Sequence, residues 1–297
     1  MNTSIKQNSS AGAKVFDVIV KVSLLLVVAF TLYPLIYVLS MSISSKEAVI
    51  SQSVVFLPKG FSLDSYKLVF QNPDVLSGYY NSIWYTVVGA GLSLAVTVLG
   101  AYPMSRKDFI FRKGFMKIIV FTMYFSGGMI PTFIVVQRLG LYNTRWAIVL
   151  PSLVTGLYFI ICRTFFENIP DGIIESAKID GCNDFMILLK IVIPISKAII
   201  AVLLLYYAVD RWNSYFPAQI YLLDNELKPI QSYLTKVLVQ FSDNAGVGQL
   251  QDMSERAAFA VQLRYALIVV TTLPIMVVYP FLQKYFVQGV MVGSMKE

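Results

Sequence analysis

Histidine is absent from all 297 residues. The commonest general base, the commonest metal ligand and the usual protonation switch near neutral pH are therefore missing. The two cysteines, Cys162 and Cys182, have no CxxC spacing and cannot alone supply a four-ligand zinc site; both are expected as free thiols. No GxxxxGK-Ser/Thr phosphate loop occurs, which excludes a self-contained ATPase. No DxD-type or histidine-containing cluster occurs either, which leaves a membrane enzyme acting on lipid-linked sugars without its usual carboxylate or metal motif. Charge is also scarce: Asp, Glu, Lys and Arg make up 14% of the chain, against roughly 25% in a soluble domain. The net charge of +7 comes with no basic patch on a folded soluble face, so nucleic acid is not an expected partner.

What fills the space is apolar. Hydrophobic residues make up 57% of the chain, the mean hydropathy is +0.66, and the apolar residues come in long blocks. About 20 such residues cross a hydrocarbon core. The blocks predict an all-α, integral membrane bundle of six spans: Val22 to Ile43, Tyr79 to Met104, Ile118 to Val136, Trp146 to Phe166, Ile195 to about Val209, and Leu263 to Phe281. The first block is too long for the apolar core of a signal peptide and reads as a retained helix, its Pro34 tolerated as a kink. In the second, Gly89, Ser93, Thr97 and Ala101 recur every four residues, a small-residue ridge suited to close helix approach. In the third, Gly127, Gly128 and Pro131 mark a break.

Basic residues orient the bundle. Arg106, Lys107, Arg112, Lys113 and Lys117 crowd the loop between spans two and three, and Lys6, Lys14 and Lys21 the amino-terminal tail. The segment from Ser44 to Gly78 instead balances Lys46, Lys59 and Lys67 against Glu47, Asp64 and Asp74. The positive-inside rule then places both termini and the 2–3 loop in the cytoplasm. The expected organisation is a cytoplasmic tail over 1–21, a six-span domain over 22–281 and a second tail over 282–297. Within the domain lie a cytoplasmic loop over 168–194 and an outward segment over 210–262. Spans one to four hold no Asp, Glu or His in their cores, which argues against a proton- or sodium-driven secondary transporter.

The loop from Asn168 to Pro194 is the most informative stretch. Asp171 and Glu175 favour the positive end of a helix, and Ile173, Ile174 and Ala177 share an apolar side. Gly181 can take the left-handed conformation that stops the helix. Asn183 or Asp184 then caps a second helix over Phe185 to Val192, ending before Pro194. Such a pair can dock as a rigid knob into a soluble partner.

Glu175, Ser176 and Ala177, then three residues, Gly181, nine residues, and Ile191 to Pro194 resemble the EAA loop of the binding-protein-dependent permeases of ABC importers. Ser176 replaces the second alanine of that pattern and Ile193 its leucine. The segments NSIWYTVVGAGLSLAVTVLGAYPMSRKDF, GGMIPTFIVVQRLGLYNTRWAIVLP and QKYFVQGVMVGSMK are similar to the carbohydrate branch, the smaller permease of maltose-type systems. The Trp212–Asn213 pair points to the subgroup for larger polysaccharide fragments.

The resemblance implies the type I permease fold and a bacterial cell-membrane location. It also implies partners: a second homologous permease, an ABC ATPase dimer carrying the ATP and Mg, an extracytoplasmic binding protein, and an oligosaccharide cargo. No cofactor is expected in this chain. Glu175, Ser176, Ala177, Asp180, Gly181, Ile191 and Pro194 would form the coupling loop. Glu175 would be its charged contact and Ala177 the small surface permitting close approach. Sugar contacts would come from Tyr206, Asp210, Trp212, Asn213 and Tyr215. A probe reaching the binding protein would fall at Asn244, Gly246, Gly248, Gln249 and Gln251. Read on their own, Asp210 and Arg211 are an interfacial pair or snorkelling charges rather than an ion site, and Trp212 is an interfacial anchor or a sugar platform.

Overall fold

The structure is a computed structural model that describes residues 11–243 and 261–280. Among these residues it contains helices and one isolated bridge, between Ser44 and Phe61, with no strand. In chain order the helices are α1 (Ala11–Ser42), α2 (Lys46–Ile50), α3 (Asp64–Gln71), α4 (Pro73–Ser105), α5 (Arg112–Tyr124), α6 (Met129–Arg138) and α7 (Trp146–Val149). There follow α8 (Gly156–Glu167), α9 (Asp171–Ile179), α10 (Asp184–Ile195), α11 (Lys197–Trp212), α12 (Phe216–Tyr221), α13 (Ile230–Asp243) and α14 (Val261–Pro280). Among the described residues, those up to Gln71 together with 240–243 and 261–270 form one compact unit, and Asn72–Val239 with 271–280 form the other.

In the first unit, α1 starts well before the apolar block that predicts it. Lys14, Asp17 and Lys21 lie inside the helix, because propagation adds a hydrogen bond per residue whatever the side chain. At 1.5 Å per residue its 32 residues run about 48 Å, longer than a hydrocarbon core of about 30 Å, so a polar end fits. Its apolar side chains are exposed on every side (Leu25, Phe30 and Leu35 among them), the pattern of a helix solvated by lipid. Its last turn is fastened instead. Ser42 Oγ bonds Tyr66 OH at 2.7 Å, and Gln262 donates to the Ser44 carbonyl at 2.5 Å. Met41, Ala48, Val49 and Val54 form a small core with Tyr37 and Tyr265.

In the second unit α4 is the axis. Asn72 caps it by accepting from the Asp74 amide at 2.9 Å, so the helix begins earlier than the apolar run. A π turn interrupts it at Tyr85–Gly89. The small-residue ridge is buried as expected: Gly89, Ser93, Thr97 and Ala101 all face inward, where α8 and α11 pack.

Three expected spans take a different form. The third is a pair, α5 and α6, bent by 118° at the expected break, where Gly128 has φ +86°. The fourth is not continuous. Residues 150–155 separate α7 from α8, because Pro151 cannot continue the helix past the apolar run. The 12 residues of α8 reach only about 18 Å. The fifth extends through Asp210 and Arg211 to Trp212, after an 86° bend from α10. α10 itself does not stop before Pro194. A π turn at Leu188–Val192 widens the helix just ahead of the proline, so the helix accommodates the ring and runs on to Ile195. Three helices, α1 (from Gly12), α4 and α14, are individually long and apolar enough to cross a membrane.

Candidate functional site

The elbow formed by α9 and α10 is built by local rules. Asp171 in the first turn and Lys178 in the last match the helix macrodipole. Gly181, at φ +81°, ends α9 with a complete Schellman arrangement: the Gly181 amide donates to the Lys178 carbonyl at 3.0 Å and the Cys182 amide to the Ala177 carbonyl at 3.0 Å. The side chains of Cys182 and Ala177 then share one apolar cluster, the contact that usually accompanies this turn. Asn183, not Asp184, caps α10 by accepting from the Met186 amide at 2.8 Å.

The elbow has two faces. Ile174 and Ala177 are buried with Ala101, Phe159, Phe166, Ile187 and Leu188 of the chain's own core. Ala177 is therefore turned inward, so its small size serves packing within this chain. Ile173 does not join that side; it is exposed, because it lies a full 100° from Ile174 around the helix. The outward face carries Gly172, Glu175, Ser176 and Ile179, at i, i+3, i+4 and i+7. Ser176 folds its hydroxyl back onto the Gly172 carbonyl at 2.8 Å. Ile179 is 85% exposed and Phe185, just past the turn, 61%. Sequence reasoning passed over Ile179; the available signal was an isoleucine one turn beyond Glu175 on a polar face. Asp180 and Pro194 are exposed and Ile191 is half-buried against the core.

Ion pairs tie the elbow to the turn after α4. Lys107 meets Asp171 at 2.8 Å, and Lys178 meets Asp108 at 3.2 Å and Asp184 at 3.9 Å. Arg106 donates to the Phe166 carbonyl. Glu167 receives Arg163 at 2.7 Å and Arg112 at 3.4 Å. The basic 2–3 loop and the 168–194 loop thus lie at one end of the bundle. Lys107 holds the Asp171 carboxyl below its ordinary range. Asp108 is held low by its own backbone amide and then by Lys178. Both lysines are pushed up by the carboxylates they face.

At the far end of α11 the five sugar-path residues separate. Tyr206 and Asp210, one turn apart, join a residue the sequence reading did not select: the Tyr158 ring stacks on Tyr206 at 5.4 Å, and its hydroxyl donates to Asp210 at 2.9 Å. Tyr207 meets Tyr158 edge-on at 4.9 Å and bonds Thr97 at 2.7 Å. The result is a half-exposed pair of stacked rings, inclined by 29°, with a carboxylate at one edge. Trp212 belongs elsewhere. It is buried, donates to the Thr271 carbonyl at 3.1 Å and lines an apolar cavity of about 240 Å³ with Pro274 and Val278. Asn213 turns back onto the Val209 carbonyl at 3.0 Å, and Tyr215 is exposed beside Phe216. Asn244, Gly246, Gly248, Gln249 and Gln251 lie outside the described residues.

Arg211 corrects the expectation of a snorkelling charge. It is 5% exposed and donates to the carbonyls of Ile148 (3.0 Å), Val149 (3.3 Å) and Ser152 (2.6 Å) and to the hydroxyls of Ser152 (2.5 Å) and Ser93 (3.1 Å). Those carbonyls bound the break between α7 and α8, where no helix partner is available, and the two terminal nitrogens of one guanidinium, with four N–H between them, reach them at once.

Long apolar helices with a charged two-helix elbow at one end mark an integral membrane protein. The chain belongs to the family of binding-protein-dependent transport system inner membrane components, whose model matches residues 89–292. It is 41% identical over 287 residues to the polygalacturonan/rhamnogalacturonan transport system permease protein YtcP of Bacillus subtilis, covering 95% of this chain and 99% of that one. It is 40% identical over 290 residues to protein LplC of the same organism, covering 97% of each. Among solved structures, a bacterial ABC transporter involved in the import of the acidic polysaccharide alginate matches with a TM-score of 0.85 at 35% identity, over 95% of this chain and 100% of that one. The chain is an ABC transporter permease of the inner membrane, a transport component and not an enzyme.

Proposed function

We propose that this permease passes an oligosaccharide released from an acidic plant- or algal-type polysaccharide, delivered by an extracytoplasmic binding protein. A separate ATPase dimer drives it through the elbow α9–α10, and a second homologous permease completes the passage. The observation that carries the reading is the elbow's division into a face locked into the chain's own core and an outward face of Glu175, Ser176 and Ile179. A rigid knob with an exposed isoleucine and a carboxylate fits a partner's cleft. Six crossings with both termini in the cytoplasm accord with the basic residues of the 2–3 loop. On this reading the bent pair α5–α6 is one crossing, α7 and α8 together make another, and α11 alone, bent by 86° from the cytoplasmic α10, is the fifth.

ATP closure of the ATPase dimer draws the elbow inward and re-tilts α11, switching the cavity between its two openings; this is a two-state element biased by a ligand. The Tyr158–Tyr206 rings offer apolar faces to a pyranose, and the exposed Asp210 accepts from its hydroxyls. The cargo class follows the named cargoes of the relatives. The test is uptake by proteoliposomes holding the full importer, with labelled oligogalacturonides, alginate oligomers and neutral maltooligosaccharides compared. Accumulation of the acidic oligomers only with ATP, lost in Glu175→Lys although that variant still inserts, supports the reading. Preference for the neutral series overturns the cargo, and uptake unaffected by Glu175→Lys overturns the coupling role.

A further inference from the structure

We infer that Arg211 is a positioning residue, a five-point staple that makes the broken fourth segment and α11 move as one piece. Gly89 is the gap that admits it. The inference rests on the coupling role proposed for the elbow and adds the element that carries its motion to the saccharide-facing rings. α11 starts directly after the elbow, at the Ser196 break. Its opposite end is held at Tyr207, Asp210 and Arg211. Tyr207 is fixed by Thr97 and receives the Thr155 amide at 3.4 Å, Asp210 is held by Tyr158, and Arg211 is held by Ile148, Val149, Ser152 and Ser93. Thr155 and Ser152 lie in the break, and Tyr158 stands in the first turn of α8. Displacement of α11 is therefore delivered to the break, and the Tyr158–Tyr206 pair keeps its stacking because both rings ride on the same body.

The chain builds space for this contact. A Cβ added at Gly89 would stand 3.1 Å from both Cδ and Nε of Arg211, tighter than ordinary van der Waals contact. The π turn of α4 ends at Gly89 itself, a local widening of the kind found at functional positions. Gly91, two residues on, has open space around it and serves as a control. A buried guanidinium among carbonyls and hydroxyls is a costly group to keep in an apolar bundle. Lysine would carry the same charge, but its single ammonium cannot reach carbonyls and hydroxyls spread over α4 and the α7–α8 break.

The test places nitroxide labels at the exposed Leu157 and Leu204 by a cysteine-independent chemistry. Their separation is then measured in the complete importer, nucleotide-free and with ATP trapped. The natural chain is expected to give one narrow distance, the same in both states. In Arg211→Lys the distance broadens or shifts on trapping, and uptake per ATP hydrolysed falls about tenfold while hydrolysis persists. Gly89→Ala shows the same effect more weakly, and Gly91→Ala none. Should Arg211→Lys fail to insert, Gly89→Ala alone carries the test, since one carbon asks the guanidinium to yield by only a few tenths of an ångström. A natural chain whose distance changes between states overturns the staple, as do variants whose distances and coupling match the natural chain. Failure of the coupling role itself would look different: the ATPase would be missing from the complex of the natural chain.

Discussion

Gly181 takes φ +81° with nothing within 4 Å of an added Cβ, so a side chain there meets backbone strain and no steric clash. Alanine should cost about 1–2 kcal/mol of local stability, and valine more because of its branched Cβ. Gly181→Val is expected to insert normally but to lose ATPase co-purification and ATP-driven uptake, with Gly181→Ala intermediate. Equal ATPase recovery for all three would contradict a turn-dependent dock. At the other end, Tyr158→Phe removes the donor to Asp210 and leaves the stacked ring in place. Saccharide uptake should show a KM raised about threefold to tenfold, the range of one lost hydrogen bond, with transport at saturation nearly unchanged. Reading from residues alone succeeded at Gly181 and narrowed the cap to Asn183 or Asp184, since these roles are set by near neighbours. It missed Tyr158 and misread Arg211, because their partners lie about 50 to 120 positions away in the chain and no local pattern announces them.

Among the elements, breaks were legible where the breaking residues interrupt the apolar run, as Gly127 to Pro131 do in the third span. The break at 150–155 was not: after Pro151 and Ser152 the apolar residues resume at once with Leu153 and Val154, so the dip is too short to end the block. Pro194 misled in the other direction, since a π turn lets α10 pass it. The elbow's attachment to the 2–3 loop is electrostatic and gives a pH window. Asp171 and Asp108 titrate below the ordinary carboxylate range, so their contribution is complete above about pH 4 and is lost as pH falls through the lowered values. Lys107 and Lys178 titrate above the ordinary lysine range, so theirs is complete below about pH 10 and is lost as pH rises through the raised values. Amide exchange of residues 171–195 should therefore be level from about pH 5 to 9 once corrected for intrinsic rates. It should quicken with added salt, since exposed pairs are screened. Lys107→Asp should quicken it too, and the swap Lys107→Asp with Asp171→Lys should restore it. An unrestored swap would show that the pair does not fasten the elbow.

On the scale of the whole molecule, the proposed topology has the elbow and the 2–3 loop in the cytoplasm and the turn before α13 outside. With Cys162 and Cys182 replaced by serine, a membrane-impermeant maleimide should label a cysteine introduced at Lys228 in intact cells, while one at the exposed Lys107 should react only after permeabilisation; the reverse pattern would invert the topology. The central claim is that the outward face of the elbow meets a separate ATPase. It is tested most directly by a photo-crosslinking amino acid at Ile179 in the assembled importer. A covalent adduct to the ATPase polypeptide is expected, with a yield that changes when ATP is trapped. Adducts confined to lipid or to this chain, in an importer that still transports, would contradict it.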